Sequence, residues 1–158
     1  MAKGTPATLA LERAGVPFAV ATYDYDPGVD RVGLQAAQAM GLSPGIVLKT
    51  LMAEVDGKPV CVVVPSDREV SMKKLAAAFG GKSAQMMKPP DAERITGYRV
   101  GGISPFGQKR KVPTAIEEVA LALPEVFMNG GQRGLQVRMK PGDAARAMDA
   151  KIAPLVAD

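Results

Sequence analysis

An α+β fold with a mixed sheet is what this sequence predicts. Helical and strand-like segments are interspersed along the 158 residues without a regular βαβ repeat. A hairpin signal stands near Asp56-Gly57, and short strand runs cluster in the second half. The length fits one domain over residues 1–158, and 47% hydrophobic with 23% charged residues suffices to bury a real core. No internal repeat, low-complexity tract or linker divides the chain.

Each element follows from local signals. Thr5 caps a first helix that Pro6 opens and Gly15 with Pro17 ends. Phe18 to Tyr23 reads as a short strand, and Asp24 to Asp30 as a polar loop. Val32 to Met40 is a second helix, stopped at Gly41. Ile46 to Glu54 and Lys58 to Val64 are strand runs joined by the Asp56-Gly57 turn. Ser71 caps a helix from Met72 to Phe79, which Gly80-Gly81 terminates, and residues 91–96 give a short helical turn. Strands follow at Thr114 to Glu117, Val126 to Asn129 and Leu135 to Met139. A closing helix runs from Pro141 to Ala150, with Asp143 near its positive end.

Composition excludes whole classes of chemistry. There is no histidine, so Ser-His-Asp and Cys-His nucleophile systems are ruled out. With Cys61 as the lone cysteine, the usual zinc and iron–sulfur sites and any internal disulfide are ruled out too. We expect no metal and no cofactor. The longest apolar stretch, around Val60 to Val64, is too short to span a bilayer, and the N-terminus leads into an amphipathic segment without a signal-peptide apolar region. A cytoplasmic protein with no membrane partner is expected.

The net charge of +4 is unevenly placed. Residues 1–79 balance 8 basic against 8 acidic side chains, while residues 80–158 carry 12 against 8. Six basic residues, Lys88, Arg94, Arg99, Lys109, Arg110 and Lys111, stand against Asp91 and Glu93 between residues 85 and 112. Such a patch suits an anionic partner such as a phosphate backbone, or is a solvated loop with a basic bias.

Several motifs fail on inspection. Asp24, Asp26 and Asp30 open like a calcium loop, but the sixth position lacks glycine and Gln35 stands where a bidentate glutamate is needed. Gly102 to Lys109 spaces its two glycines like a P-loop, yet Gln108 occupies the lysine position and Pro105 removes a backbone donor. The glycines there either form a tight turn or let backbone N–H groups approach a ligand oxygen. Cys61 reads as a buried strand thiol, and the nine methionines as core filling.

Lys49 is different. It interrupts the apolar run Ile46 to Met52, so it either faces solvent on one side of a sheet or points into a polar pocket. A lysine is cationic at neutral pH and suits holding a phosphate or a developing oxyanion better than abstracting a proton.

Taken together, certain segments resemble the YbaK family of bacterial aminoacyl-tRNA deacylases, in particular its Cys-tRNA(Pro) deacylase branch. They are Thr5-Pro6-Ala7, Thr22-Tyr23 with Asp26-Pro27, Leu48-Lys49-Thr50-Leu51, the run from Thr96 to Gln108, and Gly130 to Leu135. The resemblance implies a mixed, barrel-like sheet flanked by helices, related to the editing domain of prolyl-tRNA synthetases. It implies hydrolytic removal of cysteine from tRNA(Pro) in trans, with the tRNA acceptor end as partner and prolyl-tRNA synthetase as a further one. In that branch the substrate's own thiol attacks its carbonyl, which requires no enzyme nucleophile. Lys49 would contact the terminal adenosine or its phosphate, Gly101 would present backbone to the reacting carbonyl, and Gly102 would allow close approach. Tyr23, Val32, Thr50, Ser104, Asn129 and Gln136 complete the expected substrate-binding set. From charge alone, Lys109, Arg110 and Lys111 would meet the acceptor stem.

Three positions depart from the cysteine-specific pattern. Asn129 and Gln136 stand where serine and aspartate are common, and Val32 where a phenylalanine is frequent. Gln136 leaves neutral hydrogen bonding in place of a charge. Two alternatives stay open: removal of another small amino acid such as alanine, and a non-catalytic module that binds tRNA or a synthetase.

Overall fold

The computed structural model describes residues 4–26 and 32–158. Helix α1 (Pro6–Ala14) starts with a reciprocal cap: the Thr5 side chain accepts the Thr8 N–H, and the Thr8 hydroxyl accepts the Thr5 N–H. Strand β1 (Ala19–Thr22) and helix α2 (Val32–Met40) follow, then a 3-10 turn at Pro44–Ile46. Strands β2 (Leu48–Val55) and β3 (Lys58–Pro65) form the expected hairpin. Its turn residues Asp56 and Gly57 both have positive φ, 51° and 80°, the twist that two-residue hairpins require. Helix α3 (Met72–Ala78) is capped by the Ser71 side chain, which accepts the Lys74 N–H.

The second half comprises β4 (Ala84–Met86), α4 (Pro89–Thr96), β5 (Thr114–Glu117), a 3-10 turn at Glu118–Ala122, β6 (Val126–Asn129), β7 (Leu135–Met139), α5 (Pro141–Ala147) and β8 (Ala150–Ala153). Four features differ from expectation. Helix α4 begins at Pro89 rather than residue 91, because prolines fit a first helical turn. The closing helix ends at Ala147, and Ala150 begins a strand that runs parallel to β5. Strands β4 and β8 carried no alternating pattern, since each is a short edge strand defined by its neighbour. The 3-10 turn at Glu118–Ala122 is the fourth.

The α+β class and the mixed sheet hold, with one refinement. Among the described residues the strands form two sheets rather than a closed barrel: β1-β7-β6, antiparallel, and β4-β2-β3-β5-β8, with parallel pairing at β3–β5 and β5–β8. A lone parallel bridge, Val47 to Phe127, links them. The larger sheet is covered on both faces. Cys61 and Val63 face a core with α1, α4, α5 and the inner side of β6 and β7, whereas Val60, Val62 and Val64 face α3 and Leu155. Strand β3 is therefore apolar throughout, as a strand buried on both sides must be. Helix α2 lays Ala36 and Ala37 on Val47 and Phe127 at the seam. Among the described residues no helix is long and apolar enough to cross a membrane.

Candidate active site

The gap between the two sheets makes the site. Strand β4 pairs with β2 only over Ala53 to Val55, and the Met87 N–H adds a bond to the Met52 carbonyl. At the other end stands the Val47–Phe127 bridge. Between them the outer edge of β2 is left without a ladder. The Cys61 N–H donates to Pro113, so Cys61 and Val63 turn their backbone groups toward β5. By ladder alternation their partners Met52 and Thr50 turn N–H and C=O outward, to the open edge. A cleft of about 520 Å³ wraps this edge, within the size range of small-molecule sites. It receives side chains from both faces of β2, which is how the neighbours Lys49 and Thr50 both line it.

Strand β2 gives the cleft Lys49 and Thr50, the loop after α4 gives Gly101, and β6 and β7 give Asn129 and Gln136. These five expected residues converge from segments far apart in sequence. Apolar walls come from Leu34, Leu51, Met86, Met87 and Ile103. Lys49 is 21% exposed, with its Nζ 4.0 Å from Glu69 Oε1.

Asn129 and Gln136 are register partners across the β6–β7 ladder. The Asn129 amide is fully engaged: Nδ2 donates to the Gly101 carbonyl at 3.1 Å, and Oδ1 accepts the Gly131 and Gln132 N–H groups at 2.7 and 3.2 Å. Gln136 is 2% exposed, and its Oε1 is buried without a hydrogen-bond partner among the described residues. Thr50 Oγ1 is likewise buried and unpartnered among them. Two acceptors on a cleft wall with nothing to accept are unsatisfied unless a ligand or water supplies donors.

Gly101 has a φ of +93°, and an added Cβ would lie 2.9 Å from Tyr25 Oη. The residues around it are clamped, with Arg133 Nε donating to the Val100 carbonyl at 3.0 Å and the Arg133 guanidinium 5.3 Å from the Tyr25 ring centroid. Among the described residues nothing accepts the Gly101 N–H.

Four expected residues stand elsewhere. Gly102 is buried against the 132–133 backbone, where a Cβ would meet Arg133 N at 2.9 Å, so its small size serves loop packing. Ser104 is fully buried, and its Oγ accepts the Phe106 N–H within a turn. Tyr23 packs into the seam beneath α2, and burial raises the pKa of its hydroxyl, which has no partner among the described residues. Val32 opens α2 beside the cleft residue Gly33, and its side chain lies outside the described residues, as do Pro27, Gly28 and Asp30.

Cys61 is fully buried and its thiol is pushed up to about 12 by desolvation, which leaves it unreactive. Among the described residues no group of three or more metal-ligating side chains is gathered. Sequence reasoning missed Glu69, Ser66 and Met86 as wall residues. No periodicity marks Glu69, which lies in the connection from β3 to α3.

The basic residues sit one helix away. The Lys109 and Arg110 N–H groups bond to the carbonyls of Thr96 and Ile95 at the far end of α4, whose first turn lines the cleft. Eight residues of helix span about 12 Å. Lys111 pairs with Asp149 at 3.2 Å.

Fold and cleft define a class: an α+β ligand-binding domain that works with a lysine, neutral amides and backbone, without imidazole or reactive thiol. The chain belongs to the aminoacyl-tRNA editing domain family, whose model matches residues 26–147. It is 34% identical, over 87% of its length and 84% of the relative's, to the "Putative Cys-tRNA(Pro)/Cys-tRNA(Cys) deacylase EbsC" of Enterococcus faecalis. A proline–tRNA ligase of Nitratidesulfovibrio vulgaris is 33% identical over 66% of this chain, a stretch that is 17% of that enzyme. Among solved structures, "a putative trans-editing enzyme for prolyl tRNA synthetase" superposes with a TM-score of 0.84 at 25% identity, covering 97% of this chain and 96% of that one. The hypothetical protein APE2540 shares the fold, with a TM-score of 0.85 at 20% identity over 96% of this chain and 99% of that one. The activity class of the present chain is that of an aminoacyl-tRNA deacylase.

Proposed function

We propose that residues 1–158 form a single trans-acting editing unit in the cytoplasm that removes mischarged cysteine from tRNA(Pro), with prolyl-tRNA synthetase as a partner in tRNA selection. The observation that carries this reading is the convergence of Lys49, Thr50, Gly101, Asn129 and Gln136 on one cleft. The relative named for Cys-tRNA(Pro) and Cys-tRNA(Cys) supports the substrate.

An aminoacyl ester is already activated, so a site that positions it and stabilises the oxyanion is sufficient. Lys49 holds the terminal phosphate or ribose. The Gly101 N–H, held in place through the Asn129 bond to the same residue's carbonyl, donates to the developing oxyanion. The cysteine thiol loses its proton and its sulfur attacks the ester carbonyl. A carbon–sulfur bond forms, the bond to the ribose oxygen breaks, and that oxygen takes up a proton. The products are tRNA with a free terminal hydroxyl and a cyclic thioester that water then opens. Lys109 and Arg110, about 12 Å from the cleft along α4, meet the acceptor stem.

The test is ester loss from Cys-tRNA(Pro), Ala-tRNA(Pro) and Cys-tRNA(Cys), with and without prolyl-tRNA synthetase. Loss of cysteinyl esters alone is expected. Cleavage of Ala-tRNA(Pro) at a comparable rate would overturn the thiol-dependent route and favour a deacylase for small amino acids, which Asn129 and Gln136 would then explain. Tight, salt-dependent tRNA binding without cleavage would overturn catalysis.

A further inference from the structure

We propose that Glu69 is the binding group for the substrate's α-ammonium, a role that rests on the deacylase reading above. Among the described residues lining the cleft, Lys49 is the one cation and Glu69 the one anion, and they stand 4.0 Å apart. The end of an aminoacyl-tRNA carries the matching pair: a phosphodiester anion and, a few bonds away, an ammonium on the ester's α-carbon. An α-amino group ordinarily titrates near 7.7–8.0 and is largely protonated at neutral pH.

When the substrate enters, its anion takes Glu69's place beside Lys49 and its ammonium takes Lys49's place beside Glu69. No charge is left unpaired in the exchange, which avoids the penalty of isolating a partly buried charge. The Lys49 ammonium and the Glu69 carboxylate already mark where the two substrate charges go.

A second observation points to the same ligand chemistry. Thr50 Oγ1 and Gln136 Oε1 are buried acceptors without partners among the described residues, on the walls of the same cleft. An ammonium brings three donors, more than one carboxylate at a cleft rim uses. Gln136, neutral and 2% exposed, supplies an acceptor but no charge, so the charge comes from Glu69.

The experiment compares cysteinyl-tRNA(Pro) with its N-acetyl derivative, which keeps the thiol and ester but carries no ammonium. The wild-type protein and the Glu69→Gln, Glu69→Asp and Asp67→Asn variants are each measured on both. The wild-type protein is expected to prefer the free-amine ester by roughly tenfold in kcat/KM, mainly through KM. Glu69→Gln narrows that preference to within about twofold by losing activity on the free amine only, Glu69→Asp retains part of it, and Asp67→Asn leaves it unchanged.

Equal cleavage of both esters by the wild-type protein overturns the ammonium role while leaving the deacylase reading intact. So does a Glu69→Gln variant that gains or loses equally on both esters, since it reports only on Lys49. An Asp67→Asn effect equal to that of Glu69→Gln overturns it as well, because a general field is then responsible. Cleavage of neither ester overturns the deacylase reading and this inference with it.

Discussion

Asn129 Nδ2 donates to the Gly101 carbonyl at 3.1 Å, joining the end of β6 to the loop after α4. The same amide accepts two N–H groups of the 131–132 turn. One side chain thus fixes two loops relative to each other at the cleft wall. The peptide plane of Gly101 is set by a neutral hydrogen bond rather than by a charge.

Replacing Asn129 by alanine leaves the Gly101 carbonyl and two turn N–H groups without that partner, at about 2 kcal/mol of stability. We expect kcat to fall about tenfold with a smaller change in KM, the pattern of lost positioning. Steady-state deacylation and urea unfolding of the same preparation check both halves. Full kcat in the variant would remove Asn129 from the account.

Lys49→Ala is expected to lower kcat/KM about a hundredfold, the scale seen when a transition-state donor is removed. Overall tRNA affinity should change only a few-fold, because most of the tRNA's phosphates are bound elsewhere. Lys49→Arg keeps the charge but not the compact ammonium, and recovers only part of the loss. Filter binding beside single-turnover cleavage separates these outcomes.

The double change Lys109→Gln and Arg110→Gln should weaken tRNA binding and flatten its salt dependence, by about 0.9 in log–log slope for each duplex phosphate that is no longer neutralised. Cleavage at saturating tRNA should persist. A titration at several salt concentrations reads the slope, and an unchanged slope would place the acceptor stem elsewhere.

Burial raises the Cys61 thiol from 9.0 to about 12. In the unfolded chain the thiol ionises above its ordinary value while the folded form keeps its proton. The folded state therefore binds more protons, and stability falls as pH rises from about 9 toward 12, by up to about 1.4 kcal/mol per pH unit from this group. Urea midpoints at pH 8, 9 and 10 should decline, and Cys61→Val should decline less steeply. A thiol reagent at pH 8 should leave native protein unlabelled.

Glu117 is 2% exposed, yet its carboxylate is satisfied by backbone: Oε1 accepts the Leu155 and Val156 N–H groups at 2.7 and 3.1 Å, and Oε2 accepts that of Val119 at 2.9 Å. Glu117→Ala orphans three buried donors and should cost about 3 kcal/mol or more in stability. Because residues 155–157 also bond to Ser71 and Glu69, the 66–71 wall of the cleft should loosen with them. Hydrogen exchange at those amides, with unfolding by urea, checks this.

Local chemistry made part of this protein legible in its sequence. Thr5, Ser71 and Gly15 mark helix ends because capping is decided within a few residues, and Asp56-Gly57 marks the hairpin because its turn requires positive φ. The missing histidine and lone cysteine limited the chemistry before any fold was known. Lys49 stood out as a cation in an apolar strand, and the family resemblance carried Thr50, Gly101, Asn129 and Gln136 to the cleft.

What tertiary structure alone decided has a common cause, namely pairing between residues distant in sequence. The short edge strands β4 and β8 exist through their neighbours, not through their own pattern. The same non-local pairing leaves the edge of β2 open and so creates the cleft. Gly102 and Ser104 sit beside Gly101 in sequence, but tight packing on the 132–133 backbone and an internal turn keep them out of it. Glu69 lies twenty residues from Lys49 in sequence and 4.0 Å from it in space. Sequence periodicity records only which side of an element is buried; which elements meet is settled by packing and long-range hydrogen bonds, and there the two charges of the site are brought together.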